Sequence, residues 1–153
     1  MLPEGFEAYP DAVAVADSVI HGKYDRKELT LEIDPAQIVE VCRKLKLEQK
    51  FVRLSTVTGV DRFPDKPRFE VVYHLHSIER NERLRLKCRI SGENPEIDSV
   101  TGVWRSANWY ERETFDLFGI RFRNHPDLTR IMMPDDWEGH PLRKDYPITG
   151  NRV

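Results

Sequence analysis

The chain has 153 residues, the length of one ordinary domain, and its 26 acidic and 24 basic residues leave a net charge of −2. This balance excludes the strongly basic class of nucleic-acid-binding domains, whose pI lies above about 9. No apolar run approaches the roughly 18 residues of a membrane span, and the N-terminus lacks a basic region followed by an apolar segment. We therefore expect a cytosol-facing protein without membrane insertion, and attachment to a membrane complex stays open.

The first third of the chain predicts a strand pair followed by a covering helix. Residues 13–21 alternate loosely and residues 28–33 cleanly between apolar and polar side chains, which indicates two strands joined across residues 22–27. Asp34 and Pro35 are typical of a helix N-cap and first turn. The helix that follows has an apolar face expected to pack on the sheet. Its members are Ile38, Val41, Cys42 and Leu45.

A third strand is predicted over residues 51–61. Pro64 and Pro67 forbid continued pairing in the loop that follows. The side chains expected together on one face of this strand are Val52, Leu54, Thr56, Thr58 and Val60.

The clearest predicted hairpin joins residues 68–77 to residues 83–91 through a turn at residues 78–82. Its expected register puts the large apolar side chains on one face. The apolar pairs are Leu75 with Leu86, Tyr73 with Cys88 and Val71 with Ile90. The pairs on the other face are His76 with Arg85, His74 with Lys87 and Val72 with Arg89.

The histidines and cysteines do not predict a metal cluster. His74 and His76 share a strand face and could chelate zinc, but their expected neighbours are cations. We interpret this face as a solvated basic surface, with contact to an acidic partner surface as the open alternative. Cys42 and Cys88 lie on apolar faces and form no C-x-x-C, so we expect reduced, packed thiols and no iron–sulfur or zinc cluster in this chain.

An amphipathic helix predicted over residues 99–118 contains two exceptions to its burial pattern. At about 100° per residue, Glu111 falls within the core-facing stripe, where an ionised carboxylate costs several kcal/mol unless a cation or donors meet it. Trp109 falls on the opposite side, beside Arg105, Arg112 and Asp116. A break near residues 102–106 would shorten the helix. The stripe consists of Val100, Val103, Trp104, Ala107, Tyr110, Thr114, Phe115, Leu117 and Phe118.

Each exception has two explanations. Glu111 either belongs to a structural ion pair or marks a functional contact. We expect it to be ionised and clamped by an arginine from the C-terminal part of the chain, Arg130 or Arg143, through two parallel hydrogen bonds. Trp109 is either covered by the segment that follows it or contacts a partner.

An extended arm is predicted beyond Gly119, which is a natural residue to follow a helix C-terminus. Each residue before a proline is biased to extended geometry, and long ordered irregular segments are usually functional. The four X-Pro steps are His125-Pro126, Met133-Pro134, His140-Pro141 and Tyr146-Pro147. We expect the arm to wrap its own domain and then reach a partner. The residues expected at that contact are Trp137, Leu142, Arg143, Lys144 and Tyr146.

Two runs in the second half of the chain resemble a known family signature. They are ANWYERETFDLFGI, residues 107–120, and HPDLTRIMMPDDWEGHPLRKDYP, residues 125–147. Both resemble the C subunit of the proton-pumping NADH:quinone oxidoreductase, respiratory complex I. The resemblance implies an α+β fold, a two-layer domain with a mixed β-sheet covered by helices. We expect this domain over residues 1–120, followed by an extended arm over residues 121–153.

The same resemblance implies a set of signature residues on the helix and the arm. On the helix they are Trp109, Glu111, Arg112, Glu113, Asp116, Phe118 and Gly119. On the arm they are His125, Pro126, Asp127, Leu128, Arg130, Ile131, Pro134, Trp137, His140, Pro141, Leu142, Arg143, Lys144 and Asp145. Thr114 and Asn124 depart from the residues typical of the family.

The function implied is that of a cofactor-free structural and assembly subunit. The complex transfers electrons from NADH to quinone and translocates protons, with FMN and iron–sulfur clusters expected in partner subunits. The partners implied are the large quinone-site subunit and the small iron–sulfur subunit. The implied location is the hydrophilic arm, peripheral to the cytoplasmic face of the inner (plasma) membrane.

Two alternatives accompany this interpretation. The domain also resembles subunits of ferredoxin-driven, F420H2-dependent and hydrogenase-type membrane complexes. A remote alternative from another class is a small metal-dependent hydrolase, although residues in an extended loop do not define a coordination geometry. Its ligands would be His125, Asp127, Asp135, Asp136 and His140.

Overall fold

Strands with alternating burial build a mixed five-stranded sheet in the computed structural model of the protein, which describes residues 4–149. The strands are β1 (Val19–Asp25), β2 (Glu28–Ile33), β3 (Arg53–Asp61), β4 (Phe69–Ser77) and β5 (Glu82–Ile90). Their order across the sheet is β1-β2-β5-β4-β3. β2 and β5 run parallel, and all other neighbours are antiparallel. This confirms the α+β fold with a mixed sheet.

The first strand pair forms as predicted, but β1 begins at Val19 rather than at residue 13. Before it, Pro10–Ala14 form the short helix α1, because proline suits the first turn of a helix. The link between β1 and β2 is a tight turn in which Arg26 and Lys27 have φ of 50° and 66°. Positive φ at both central residues matches the twist of the flanking strands.

The covering helix α2 (Ile38–Leu47) follows a 3₁₀ turn at Pro35–Gln37. Asp34 caps that turn by accepting a hydrogen bond from the Ala36 N–H at 3.0 Å. The predicted apolar face of α2 is fully buried against the sheet. Cys42 and Cys88 are both buried and free, as predicted.

The register of the β4–β5 hairpin differs from the predicted one by two residues. Ser77 pairs with Glu82, so the turn closes one residue earlier on the β5 side than predicted. The observed pairs include Leu75 with Leu84, Tyr73 with Leu86, Val71 with Cys88, His76 with Arg83 and His74 with Arg85. Because a shift of two residues preserves the side-chain alternation, the predicted faces are correct and only the pairs were wrong.

The predicted face of β3 is wrong on both sides of Leu54. The strand begins at Arg53 rather than at residue 51, and Val52 before it is exposed. The register shifts between Leu54 and Thr56, a bulge that inserts one unpaired residue and reverses the phase of the strand. Val57 therefore faces the core, and Thr58 lies opposite Val72 on the other face.

The signature helix α3 spans Ala107–Phe118 and begins later than the predicted start near residue 99. Residues 99–106 instead form turns. Two short strands, β6 (Glu96–Asp98) and β7 (Arg121–Arg123), pair in parallel and bracket α3, although a turn-rich link was predicted at residues 93–98. Beyond β7, residues 124–149 contain no helix or strand. The predicted ranges 1–120 and 121–153 include residues 1–3 and 150–153, which lie outside the described residues.

Candidate functional site

Close contacts with β3 set the position of α3. The Thr114 hydroxyl oxygen lies 2.9 Å from the Tyr110 carbonyl oxygen of its own helix and 3.4 Å from the Val57 carbonyl oxygen of β3. A Cβ atom at Gly59 would lie 2.9 Å from the Phe118 ring, so only glycine allows the helix this close to the strand. Gly119 ends the helix with φ of 76°, a left-handed conformation that glycine adopts without strain. These contacts determine where the polar side chains of α3 point.

Glu111 is fully buried, as predicted, but its partners differ from the predicted ones. Ser99 Oγ donates to its Oε2 at 2.6 Å, and the Val100 N–H donates to its Oε1 at 2.8 Å. Within the described part of the chain no arginine lies at ion-pair distance from this carboxylate. The predicted clamp by Arg130 or Arg143 is therefore wrong.

The protonation of Glu111 reflects this environment. Burial raises the pKa of its carboxyl to about 7, against the two hydrogen bonds, which act to lower it. The carboxyl is therefore not permanently ionised at neutral pH, contrary to the prediction. The clamp prediction failed because Arg130 instead approaches Asp116, which is five residues along the helix and thus about 140° around its axis from Glu111.

His125, at the start of the arm, packs beside the buried Glu111. Its imidazole is fully buried, and its Nε2 lies 3.9 Å from Glu111 Oε2. Nδ1 accepts the Asp127 N–H at 3.0 Å, and Nε2 lies 3.1 Å from the Asn108 carbonyl oxygen. A carbonyl oxygen only accepts, so Nε2 carries the proton and the contacts fit the neutral imidazole. His125 thus fastens the beginning of the arm to the first turn of α3.

Asp116 is the acid of α3 that an arginine clamps, and its expected place on the outward side is wrong, because the arm covers it and leaves it fully buried. Its fully buried Oδ2 accepts the N–H groups of Ile131, Met132 and Met133 at 3.1, 2.7 and 2.9 Å. Its Oδ1 accepts Arg130 Nη1 at 2.8 Å. Burial acts to raise the pKa of Asp116, but the three N–H donors and the guanidinium outweigh it and hold the pKa below its ordinary value. The carboxylate is a fixed negative charge around which the arm turns.

The arm also caps the C-terminus of α3. Carbonyl oxygens in the last turn of a helix have no partner within the helix, and here donors from residues 140–143 reach three of them. They are His140 Nδ1 to the Asp116 oxygen at 2.9 Å, the Leu142 N–H to the Leu117 oxygen at 3.0 Å and Arg143 Nε to the Phe118 oxygen at 2.6 Å. The arm therefore supplies the hydrogen-bond donors that the last turn of α3 lacks.

A second anchor ties the arm to the sheet, and sequence reasoning missed it. Asp61 accepts Arg68 Nε at 2.9 Å and Nη2 at 2.8 Å, and its Oδ2 also accepts the Lys144 N–H at 2.8 Å. Arg68 reaches Asp145 at 2.9 Å. Hydrogen bonds from Arg68 hold the pKa of Asp61 well below its usual range. The sequence does contain a signal for this anchor. Asp61 and Arg68 carry opposite charges and stand at the two ends of the predicted loop that contains Pro64 and Pro67.

The outer side of α3 and the arm carries exposed apolar groups. Trp109 is 62 % exposed, which confirms its outward direction, and Arg112 lies over its ring at 4.9 Å. Arg112 also donates to the carbonyl and hydroxyl oxygens of Thr129 at 3.1 and 2.8 Å. Met132 and Leu142 are 61 % and 52 % exposed. Trp109 is therefore flanked by the arm without being covered by it.

The remaining residues of the predicted partner contact differ in their exposure and in their hydrogen bonds. Trp137 Nε1 donates to Tyr146 Oη at 3.1 Å, so these two half-buried aromatics join the turns of the arm. Lys144 has an exposed side chain, and Glu113 is half-buried on α3. Arg143 is not a free surface charge, because it caps α3 and lies over the Phe69 ring at 5.2 Å.

The histidines and acids of the arm do not converge. His125 lies at the first turn of α3 and His140 at its last. Among residues 4–149, no three His, Cys, Asp or Glu side chains are placed to hold a metal ion together. Within the same residues, every helix is too short or too polar to cross a membrane.

Comparison with known proteins gives the context of this site. Residues 31–152 match a family described as the 30 kDa subunit of respiratory-chain NADH dehydrogenase. The chain is 50 % identical over 135 residues to the C subunit of NADH-quinone oxidoreductase from Geotalea uraniireducens, covering 88 % of this chain and 82 % of the relative. It is 52 % identical over 132 residues to a C subunit of the same enzyme from Rhizobium meliloti, covering 85 % and 69 %.

Solved structures agree with this similarity. A trypsin-resistant fragment of Nqo5 has a TM-score of 0.66 and 31 % identity, covering 71 % of this chain and 89 % of the fragment. A chain of the membrane-bound sulfane sulfur reductase, an archaeal respiratory membrane complex, has a TM-score of 0.75 and 28 % identity, covering 84 % and 77 %.

Proposed function

This chain belongs to the family of the 30 kDa subunit of respiratory-chain NADH dehydrogenase, and we propose that it serves the complex as a docking subunit without a redox centre. Its relatives are C subunits of NADH-quinone oxidoreductase, which belong to the hydrophilic arm of complex I. The chain is therefore part of an oxidoreductase that contains several different subunits. Its own contribution is to hold other subunits in place.

The observation that supports this proposal is that the arm is held on its own domain by polar groups, while its apolar side chains face outward. Asp116, the end of α3 and Asp61 use their hydrogen bonds to hold the arm on its own domain. Trp109, Met132 and Leu142 are left facing outward. Exposed aromatic and apolar groups beside an arginine match the composition of protein interfaces. A surface of this kind is suited to another protein and contains no constellation for acid–base or nucleophilic chemistry.

The partners we propose are the large quinone-site subunit and the small iron–sulfur subunit. Both would contact the outer side of α3 and the arm. FMN and the iron–sulfur clusters would reside in other subunits, and this subunit would lie on the cytoplasmic face of the membrane. The two cysteines support the cofactor proposal, because both are free thiols buried in the core.

Truncation of the arm is a poor test of docking, because residues 140–143 cap α3 and their loss would also destabilise the domain. Surface substitutions separate the two effects. The triple variant Trp109→Ala, Met132→Ala, Leu142→Ala removes exposed side chains and keeps the backbone N–H groups of residues 132 and 142 that hold the arm. A tagged full-length chain carrying these changes is expressed in cells and purified from native membranes, and the companion subunits are quantified by mass spectrometry.

We expect at least about a ten-fold loss of companion subunits for this variant, since exposed aromatic anchors commonly contribute about 2 kcal/mol or more to binding. The matched control is Leu47→Ala, Val52→Ala, Ile78→Ala, whose side chains are 64 %, 53 % and 62 % exposed elsewhere. Equal recovery of companions with both variants would refute the docking surface.

The cofactor proposal has its own test. The purified full-length chain should show no stoichiometric flavin or iron–sulfur absorption in the visible range and no electron transfer from NADH to a quinone. A cluster or flavin present at one per chain would contradict it, whatever the assembly experiment shows.

A further inference from the structure

The sheet face turned away from α2 and α3 carries a stripe of cations. Alternate residues of β5 share this face, and they are Arg83, Arg85, Lys87 and Arg89. Alternate residues of a strand lie about 7 Å apart, so the four cations extend over roughly 20 Å. The whole chain has a net charge of −2, so the positive charge of this face is a local concentration. Lys87 lies 3.7 Å from Glu70, which leaves the end of the stripe at Arg83 the least neutralised.

One row across the sheet places a histidine between two arginines. Arg53 of β3 pairs with His76 of β4, which pairs with Arg83 of β5. Within β3, β4 and β5 this row contains no carboxylate. On the β2 side Glu28 also lines this surface, and it is paired with Arg85. The guanidinium groups of Arg53 and Arg83 have no hydrogen-bond or ion-pair partner among residues 4–149, so their charges are available to a ligand.

The next row adds a hydroxyl group and a third arginine. Thr56, His74 and Arg85 are successive cross-strand neighbours, and the arginine of this row is neutralised by Glu28 at 2.9 Å. The two rows border a trough of about 470 Å³. His76 lines this trough, and its Nε2 is a buried polar atom without a hydrogen-bond partner in the described part of the chain.

We propose that this trough and stripe form a docking site for an acidic, extended segment of another polypeptide chain. Carboxylates of the segment would form paired hydrogen bonds with the free guanidinium groups of Arg53 and Arg83. His76 Nε2 would gain a partner in the same contact. Side chains on one face of an extended segment repeat at about 7 Å, the spacing of the cations along β5, whereas a small anion would meet only one step of the stripe.

This inference goes beyond the proposed function. The docking surface proposed above lies on α3 and the arm, and the cation stripe lies on the opposite face of the sheet. No residue is shared between the two surfaces. A second partner contact would let this protein join other chains on both of its sides.

The test is a titration of the full-length chain with four probes. They are an octapeptide of alternating Glu and Ser, its counterpart of alternating Gln and Ser, inorganic phosphate, and vesicles of anionic lipid. Affinity is measured by calorimetry, and the imidazole resonances of His74 and His76 are followed by NMR. We expect the acidic peptide to bind and to shift both imidazoles, and the Gln peptide to do neither.

Substitutions locate the contact. Arg53→Gln with Arg83→Gln should weaken binding of the acidic peptide at least about ten-fold, since each removes a charge-assisted pair. Arg105→Gln with Arg121→Gln removes the same charge from exposed positions elsewhere and should change the affinity less than about two-fold, the modest effect of a distant surface charge. Equal thermal midpoints for both double variants would show that the fold is intact.

Four outcomes would overturn the proposal. They are equal weakening by both double variants, equal binding of the Gln peptide, phosphate binding as tight as that of the acidic peptide, and binding to anionic lipid vesicles without binding to the peptide. The third would assign a small-anion site and the fourth a membrane surface. Because the titration needs no partner subunit, its failure is separate from a failure of the assembly experiment.

Discussion

The two ends of α3 each bury a carboxylate, and the protein treats the two in opposite ways. Glu111 and Asp116 are both fully buried, and burial alone would raise both pKa values. Glu111 receives two hydrogen bonds and its pKa is raised to about 7. Asp116 receives four, one of them from Arg130, and its pKa is lowered. The number and charge of the donors therefore distinguish the two acids: four donors, one of them a guanidinium, outweigh burial at Asp116, and two neutral donors do not outweigh it at Glu111.

The difference also separates two structural roles. Asp116 gathers three successive N–H groups of the arm and so defines the path of residues 131–133. Glu111 contacts a turn of its own domain, at Ser99 and Val100. The C-terminal end of the helix is thus an ionic anchor for the arm, and the N-terminal end is a polar contact that gains or loses a proton near neutral pH.

The largest expected effect is at Asp116. Asp116→Asn removes the charge facing Arg130 and replaces one acceptor by a donor next to other donors, which should cost about 3–5 kcal/mol of unfolding free energy. Urea unfolding of the full-length chain at neutral pH measures it. Asp127→Asn, an exposed acid of the arm, is the control. A loss below about 1 kcal/mol, the net value of one ordinary hydrogen bond, would show that the anchor is not ionic.

Glu111→Gln should behave differently and depend on pH. The pKa of Glu111 is about 7 in the folded protein against 4.5 for an ordinary Glu, so between these values the folded state binds more protons than the unfolded state. Stability of the native protein therefore falls as pH rises from about 4.5 to 7, by up to roughly 3 kcal/mol for this group. Gln does not titrate, so the variant should match the native protein near pH 5 and exceed it at pH 8. Parallel stability curves from pH 5 to 8 would contradict the raised pKa.

Periodicity predicted the burial of side chains far better than it predicted their contact partners. The helical phase of α3 correctly placed Glu111 inside and Trp109 outside, because burial depends on position around one axis. It wrongly placed Asp116 outside, because the arm covers that part of the helix. The partner of Glu111 was mispredicted because the path of the arm is a long-range property. Arg130 could reach either acid by sequence distance, and only the backbone turn at residues 131–133 brings it to Asp116.

A bulge and a turn account for the two errors in strand pairing. The bulge near Ser55 reverses the face of β3, and no alternation pattern reports an unpaired residue in advance. The hairpin register depended on a turn whose length Asn81 helps to set, since it adopts φ of 50°. In both cases the hydrophobic pattern was compatible with more than one pairing, and the turn or bulge selected the observed one.

A smaller effect is expected at Ser99, which supplies the side-chain donor to Glu111. Ser99→Ala should cost about 1 kcal/mol at pH 8, where the carboxylate is ionised, and less at pH 5, where it is protonated. The pKa of Glu111 should rise further, since Ser99 acts to lower it. NMR titration of the Glu111 side-chain carbon and urea unfolding at both pH values check this. Ser91→Ala, at an exposed serine, is the control, and an unchanged Glu111 titration would refute the assignment.

The smallest effect is expected at Glu113, which shares α3 with both acids. Its side chain is half-buried, with no hydrogen bond or ion pair to any residue among 4–149. Glu113→Gln should therefore change stability by less than about 0.5 kcal/mol, as at ordinary surface positions, at both pH 5 and pH 8. Glu113 lies one helical turn from the exposed Trp109, so any loss should appear in the recovery of companion subunits from membranes. A pH-dependent loss of stability in the isolated chain would mean that position on α3, rather than the local donors, distinguishes Glu111 from Asp116.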